Sequence, residues 1–265
     1  EILPERFITV SGHSGMAGNA GRWFVGETYS PVSLPDASKT VPGLFMTGSQ
    51  DTTVTTDVVR NAWRTFRHQL GKMAYSIEWR GGHDLYDEYA NQGMALDFGY
   101  MDRVIRNRYP MPMSPSKQPN QPVELVPISE EDGWLAENIG NSSTPGFIPI
   151  AAWNDYAGDR TNACWLPDEA AARLYQAHAS YTGIVGDVPH QSQPQITYPN
   201  EMQVIGPGQP VTIAMSPRAL TNVSLVEFFD GAVKIGERSA PPWTATLADP
   251  EPGIHGVSVV CTYNG

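Results

Sequence analysis

Two cysteines in 265 residues leave little room for covalent stapling. A disulfide framework of the kind that holds small secreted scaffolds needs more. Cys164 and Cys261 fall in regions of different texture and read as small buried hydrophobes rather than as a bridge. Basic residues are also scarce, 17 against 28 acidic ones, for a net charge of −11. That balance argues against nucleic acid as a partner, because phosphate binding needs a basic surface. Long apolar runs are missing too, so no membrane span is expected. Glu1 to Val10 carry three charges and no apolar stretch of signal-peptide type. No cofactor motif is legible.

What the chain has is 40% hydrophobic residues, 25 glycines and 23 prolines. The apolar share is enough for a real core and excludes general disorder. The glycines and prolines predict many loops and turns.

The clearest block runs from Val41 to Tyr109. Val41-Pro-Gly-Leu-Phe-Met-Thr-Gly48 reads as a strand buried on both faces, as in a parallel sheet. Asp57 to Met73 places Val58, Val59, Ala62, Trp63, Phe66 and Leu70 at helical spacing, with Arg60, Arg64 and Arg67 on the other side. Ala74 to Trp79 reads as a second strand, ended by Gly81-Gly82. Gln92 to Tyr109 reads as a second helix with Met94, Phe98, Met101, Val104 and Ile105 on one face. Strand, helix, strand, helix is the order of a parallel sheet with crossovers. Phe7 to Val10 is strand-like. Pro110 to Pro127 is an extended connection. Further on, Leu166 to His178 predicts a helix with Pro167 at its start and Asp168 and Glu169 in its first turn.

From Pro194 the segments become short, alternating and turn-bounded. Val211–Met215, Leu225–Phe229, Trp243–Leu247 and Gly256–Tyr263 read as strands, and Asp230-Gly231 as a hairpin turn. This pattern predicts an all-β sandwich. The expected domains are 1–182, a linker at 183–194, and a sandwich at 195–265 that is shorter than the roughly 100 residues of a complete immunoglobulin domain.

Thr47-Gly-Ser-Gln-Asp51 and Arg80-Gly-Gly-His83 resemble the C-terminal part of the α/β-hydrolase catalytic domain. The order acid before histidine matches that family, and the interval holds one helix and one strand. The resemblance covers Glu1 to about Tyr109. It implies Asp51 as the acid of a triad and His83 as its base. The alternative for Asp51 is a helix N-cap, and for His83 a turn histidine. Trp165-Leu-Pro-Asp168 resembles a C-terminal extension of secreted bacterial members.

Gly12-His-Ser14-Gly-Met16 resembles the nucleophile elbow, but Met16 stands where the final Gly belongs. If Ser14 is the nucleophile, residues 15–50 must hold a helix, another strand and a connection, and they read as too short for that. The alternative makes the strand before Ser14 the one that follows the nucleophile strand, so that the nucleophile lies upstream. On either reading the domain is expected to be partial, with its N-terminal part, and some of the oxyanion hole, on a missing segment or a partner chain.

Residues 195–265 resemble bacterial immunoglobulin-like modules through Val226-Glu-Phe-Phe-Asp-Gly231, Ile235-Gly236, Ala240-Pro-Pro-Trp243 and Gly253-Ile-His-Gly-Val-Ser-Val-Val260. Such modules are appended to secreted polymer-degrading enzymes, which implies an extracellular or periplasmic setting.

The fold expected is therefore a partial α/β-hydrolase parallel sheet with flanking helices, plus a small all-β immunoglobulin-like sandwich. The function expected is hydrolysis of a carboxylic ester, small or carried on a polysaccharide or polyester. A serine peptidase of the same fold and a non-catalytic surface or assembly protein with a degenerate hydrolase domain are the alternatives. Asp155 and Asp159 flank Tyr-Ala-Gly as oxygen donors for Ca²⁺ or as a solvated turn. Trp134, Trp153 and Trp165 read as cleft-lining or core aromatics. Asn141-Ser-Ser143 and Asn222-Val-Ser224 match the glycosylation sequon.

Overall fold

The structure is a computed structural model that describes residues 7–13, 35–49, 51–52, 56–78, 82–83, 92–110, 123–137, 147–180, 194–200, 203–216 and 222–264. The chain folds as two compact units. The first holds 1–140 and 149–172, the second 141–148 and 173–265. The expected linker, 183–194, lies outside the described residues except for Pro194.

In the first unit, β1 (Val10–His13), β2 (Gly43–Gly48) and β3 (Met73–Glu78) form a parallel sheet in the order β1-β2-β3. All six residues of β2 and all six of β3 are buried, as expected of strands covered on both faces. Gly43 allows this closeness, because a Cβ there would fall 2.6 Å from Met73 Sδ and 2.9 Å from Val10 Cγ2. β1 lies three residues later than the expected Phe7–Val10 strand. Arg108 holds the Phe7 and Ile8 carbonyls from outside the ladder, and the Val10 N–H donates to the Pro42 carbonyl. The ladder then runs from Val10↔Gly43 to His13↔Met46.

Helix α1 (Thr56–His68) buries Val59, Ala62, Trp63 and Arg67. It stops short of the expected Met73. The Gly71 N–H donates to the Phe66 carbonyl and the Leu70 N–H to that of Arg67, closing a Schellman cap with Leu70 at φ 61°. Arg67 is a correction to the amphipathic reading, which put it on the polar side; it is fully buried. Helix α2 (Gln92–Arg108) buries Leu96, Asp97, Tyr100, Val104 and Arg108, while Phe98 and Ile105 are exposed. The expected stripe is thus rotated by about one position. The polar tips of the buried residues are anchored on the sheet. Tyr100 OH donates to the Gly43 carbonyl at 3.1 Å, and Ser11 OH donates to Asp97 Oδ1 at 2.5 Å.

Strands β4 (Trp134–Glu137), β5 (Ile150–Ala152) and β6 (Ala163–Leu166) form an antiparallel sheet in the order β5-β4-β6. Trp165 is wholly buried there and its indole N–H donates to the Glu130 carbonyl. Trp153 packs against the same cluster, which makes both core aromatics. Helix α3 (Glu169–Ala179) starts one residue after Asp168, whose Oδ1 accepts from the Ala171 N–H as an N-cap. Pro167 therefore precedes the cap rather than opening the helix. Asp159 caps the short 3₁₀ turn Arg160–Asn162, which occupies its Oδ1 with the Thr161 N–H and hydroxyl. That is the polar-turn reading of this aspartate.

In the second unit, β7 (Ile196–Tyr198), β8 (Val211–Met215) and β11 (Thr244–Leu247) form one antiparallel sheet. A second is made of β9 (Val223–Asp230), β10 (Val233–Arg238) and β12 (Val257–Tyr263), in the order β10-β9-β12. Ile213, Met215, Val223, Val226, Phe228, Trp243 and Ala245 fill the core, each sheet supplying inward side chains. Asp230 pairs with Val233 across the hairpin turn, where Gly231 takes φ 57°. Phe147 packs against Phe229 with ring centroids 4.8 Å apart and the rings tilted by 58°. The two cysteines form no disulfide; Cys164 is buried and Cys261 half-buried.

Candidate functional site

The site begins with the parallel ladder. β2 and β3 stay in register to Gly48↔Glu78, and the Ser49 N–H donates to the Glu78 carbonyl at 2.9 Å. The chain then turns, with the Asp51 N–H on the Gly48 carbonyl at 3.2 Å. Two adjacent parallel strands thus deliver Asp51 and His83 to the same edge, at their carboxyl ends, where open α/β sheets place their ligands. Asp51 Oδ2 and His83 Nδ1 lie 2.9 Å apart.

The two partners differ in exposure. The Asp51 side chain is fully buried and that of His83 is 48% exposed. A buried carboxylate is costly unless paired and hydrogen-bonded, and His83 is a partner that meets that need. An ionised carboxylate only accepts, so Nδ1 carries the proton. In the neutral ring the lone pair then lies on Nε2, the nitrogen that can act as a base. The alternative for Asp51, a helix N-cap, turns on residues 53–55, which lie outside the described residues; α1 is described from Thr56. Among the described residues a Cβ at Gly82 would meet nothing within 4 Å.

Ser14, the third expected residue, lies outside the described residues, as do Arg80, Gly81 and both residues Asn141 and Ser143 of the first sequon. His13, immediately before Ser14, pairs with Met46 at the end of β1. The structure thus brings two of the three expected site residues together. Among the described residues no group of three or more His, Cys, Asp or Glu is arranged to hold a metal ion. Nor is any helix among them long and apolar enough to cross a membrane.

A second His–Asp pair escaped the sequence reading. His255 Nδ1 lies 2.7 Å from Asp230 Oδ2, and its Nε2 lies 2.7 Å from the Glu251 carbonyl oxygen. Both nitrogens are occupied, so this imidazole has no free lone pair to offer a substrate. The neighbouring turn signal, Asp230-Gly231, was legible; the return of residue 255 to it was not.

The two three-stranded antiparallel sheets packed over one core define the second unit's strands as an immunoglobulin-like sandwich. Residues 194–259 match the Bacterial Ig domain family, and the chain carries a bacterial Ig-like domain there. It is also similar to the fibronectin(III)-like modules of Clostridium thermocellum CbhA. That match is 25% identical, covers 27% of this chain and 38% of that one, and has a TM-score of 0.24. No curated protein matches the chain.

Proposed function

We propose that the first unit is the acid–histidine part of an α/β-hydrolase domain that cleaves carboxylic esters by a Ser-His-Asp mechanism. The observation that carries this reading is the 2.9 Å Asp51–His83 bond at the ends of neighbouring parallel strands. In the mechanism, His83 Nε2 takes the proton of a serine hydroxyl as its oxygen attacks the ester carbonyl carbon. The imidazolium, steadied by Asp51, then gives that proton to the departing alkoxide oxygen, releasing the alcohol. Water, deprotonated by the same nitrogen, cleaves the acyl-enzyme.

The pairing of β1 directly with β2 bears on the nucleophile. A Ser14 nucleophile requires a further strand between its own strand and that of Asp51, and direct pairing leaves no place for one in the sheet. This supports a serine supplied from upstream of Glu1, or by a partner. The Ig-like domain supports an extracellular or periplasmic setting, since such domains are typical of extracellular and surface proteins, and with it a polymeric ester as substrate.

The test is hydrolysis of a short p-nitrophenyl ester and labelling by a fluorophosphonate, in the longest natural form of the protein. His83→Ala and Asp51→Asn should each lower kcat by about three to four orders of magnitude while the fold is retained. The label is expected on a serine upstream of Glu1. Labelling of Ser14 would replace that assignment with a compressed elbow. Undiminished turnover in both variants would overturn the Asp51–His83 assignment, and a wild-type protein with no turnover and no labelled serine would leave the non-catalytic reading standing.

A further inference from the structure

His255 is held at both ends by acceptors. Asp230, at the end of β9, is an acceptor when ionised, and the Glu251 carbonyl oxygen is one at any pH. A neutral imidazole has one N–H and can satisfy only one of the two. An imidazolium has two and satisfies both. The bond pattern is therefore that of the charged ring.

The next residue ties this loop to the rest of the second unit. The Gly256 carbonyl accepts from the Gly231 N–H at 2.8 Å, which joins the residue before β12 to the β9–β10 turn. Gly256 also lies against α3: a Cβ there would fall 2.8 Å from Ala177 Cβ and 3.0 Å from the Arg173 carbonyl oxygen. Where the 251–256 loop sits thus decides whether Gly256 stays seated on the Arg173–Ala177 turn of the helix.

We propose that His255 is a pH-operated clasp: doubly protonated, it holds the 251–256 loop to the end of β9 and seats Gly256 on α3, and losing one proton it lets this corner of the sandwich loosen. The charged groups that face it are Asp230 on β9 and Arg173 on α3, with Glu251 in its own loop acting through the main chain. Partial burial and the Arg173 charge work against the imidazolium. The bonds to the Glu251 carbonyl and the Asp230 carboxylate outweigh them and hold its pKa above the ordinary histidine value. A raised folded pKa gives stability that is complete below the unfolded value near 6.5 and is lost as pH rises through the folded one. The clasp is closed in mildly acidic surroundings and slackens towards alkaline pH.

The test uses the full chain. Histidine NMR titration should place the His255 midpoint above the ordinary value. Exchange of the Gly231 amide, whose bond spans the clasp, should show a step at that midpoint on top of the smooth hydroxide-catalysed rise. Each unit by which the measured midpoint exceeds the ordinary value corresponds to about a tenfold shift in the closed–open equilibrium, so the size of the step should follow the measured midpoint. His255→Gln, which keeps one donor and no charge, should remove the step. Asp230→Asn should move the midpoint down. A wild-type midpoint at or below the ordinary value, or Gly231 exchange without a step, overturns the proposal. Those two readings need only the wild-type chain and decide the matter even if neither variant folds.

Discussion

Arg67 packs five donors into a site with no water contact. Its Nε donates to the Ala163 carbonyl at 2.7 Å, Nη1 to the Gly71 carbonyl at 2.7 Å and Glu130 Oε1 at 2.9 Å, and Nη2 to the Arg160 carbonyl at 2.5 Å. One side chain thereby ties the C-terminal end of α1 to β6 and to the 128–133 turn. Arg67→Leu would strand three carbonyls and the half-buried Glu130 charge. The expected loss is about 3–5 kcal/mol, the cost of breaking a buried pair, read as a lowered midpoint in urea unfolding. Arg67→Lys should recover only part, because a single ammonium cannot reach four acceptors in a fork. Gly82 is the opposite case. With no described atom in the way of a Cβ, Gly82→Ala should change the unfolding midpoint by no more than about 0.5 kcal/mol, as surface substitutions usually do. A large loss would mean that the His83 turn is held by its backbone in a way that alanine cannot follow.

Helix ends decide where the site's supporting elements start and stop. Leu70 occupies the left-handed position of the α1 cap and is half exposed, so it gains little burial for its strain. Leu70→Gly should raise stability by up to about 1 kcal/mol, the cost of a left-handed L-residue less the added freedom of glycine in the unfolded chain; a lower thermal midpoint would refute that accounting. At α3, burial raises the Asp168 pKa, but hydrogen bonds from Arg103, the Ala171 N–H and Asn107 outweigh it and hold the carboxyl below the usual range. A depressed folded pKa gives stability that is present above the unfolded value near 3.9 and is lost as pH falls through the folded one. Asp168→Ala should therefore cost about 1 kcal/mol near neutrality and flatten the acid limb of the stability–pH curve below about pH 4.

The same ends mark what the sequence made legible. The two buried strands, both long helices and the sandwich strands could be read because their period and turn residues agree with the tertiary outcome. So could the Asp51–His83 pair, because parallel neighbours end at one edge. Arg67 and the α2 stripe could not be read. A guanidinium with four acceptors behaves as core whatever its polarity, and Tyr100, Asp97 and Arg108 are buried through hydrogen bonds that no hydropathy pattern encodes. The cap at Leu70 was missed because the expected glycine stands one position later, at Gly71.

At the scale of the whole molecule, the compact second unit is not the sandwich alone. It also includes 141–148 and the helix from Arg173 on. Phe147 on Phe229, the Gln176 amide on the Ile148 carbonyl at 2.6 Å, and Gly256 against Ala177 are among the contacts inside it. A fragment 169–265 keeps Gly256 against Ala177, though not Phe147 or Ile148, and should melt a few degrees above a fragment 195–265, since about 1 kcal/mol shifts a domain of this size by roughly 4–8 °C. Equal melting points would make the helix a passenger on the sandwich.

Trp165 also carries an optical consequence. A Cβ at position 133 would lie 2.3 Å from its indole nitrogen, so the ring occupies the space where a side chain would otherwise stand. Trp63 is equally shielded, its N–H bonded to the Met73 carbonyl at 3.0 Å. Both rings sit fixed and dry in the first unit, where an indole emits towards the blue. Gly133→Ala must push the Trp165 ring out of its slot. The emission should shift to the red while far-ultraviolet dichroism stays unchanged, an intrinsic dye for the antiparallel layer that needs no label.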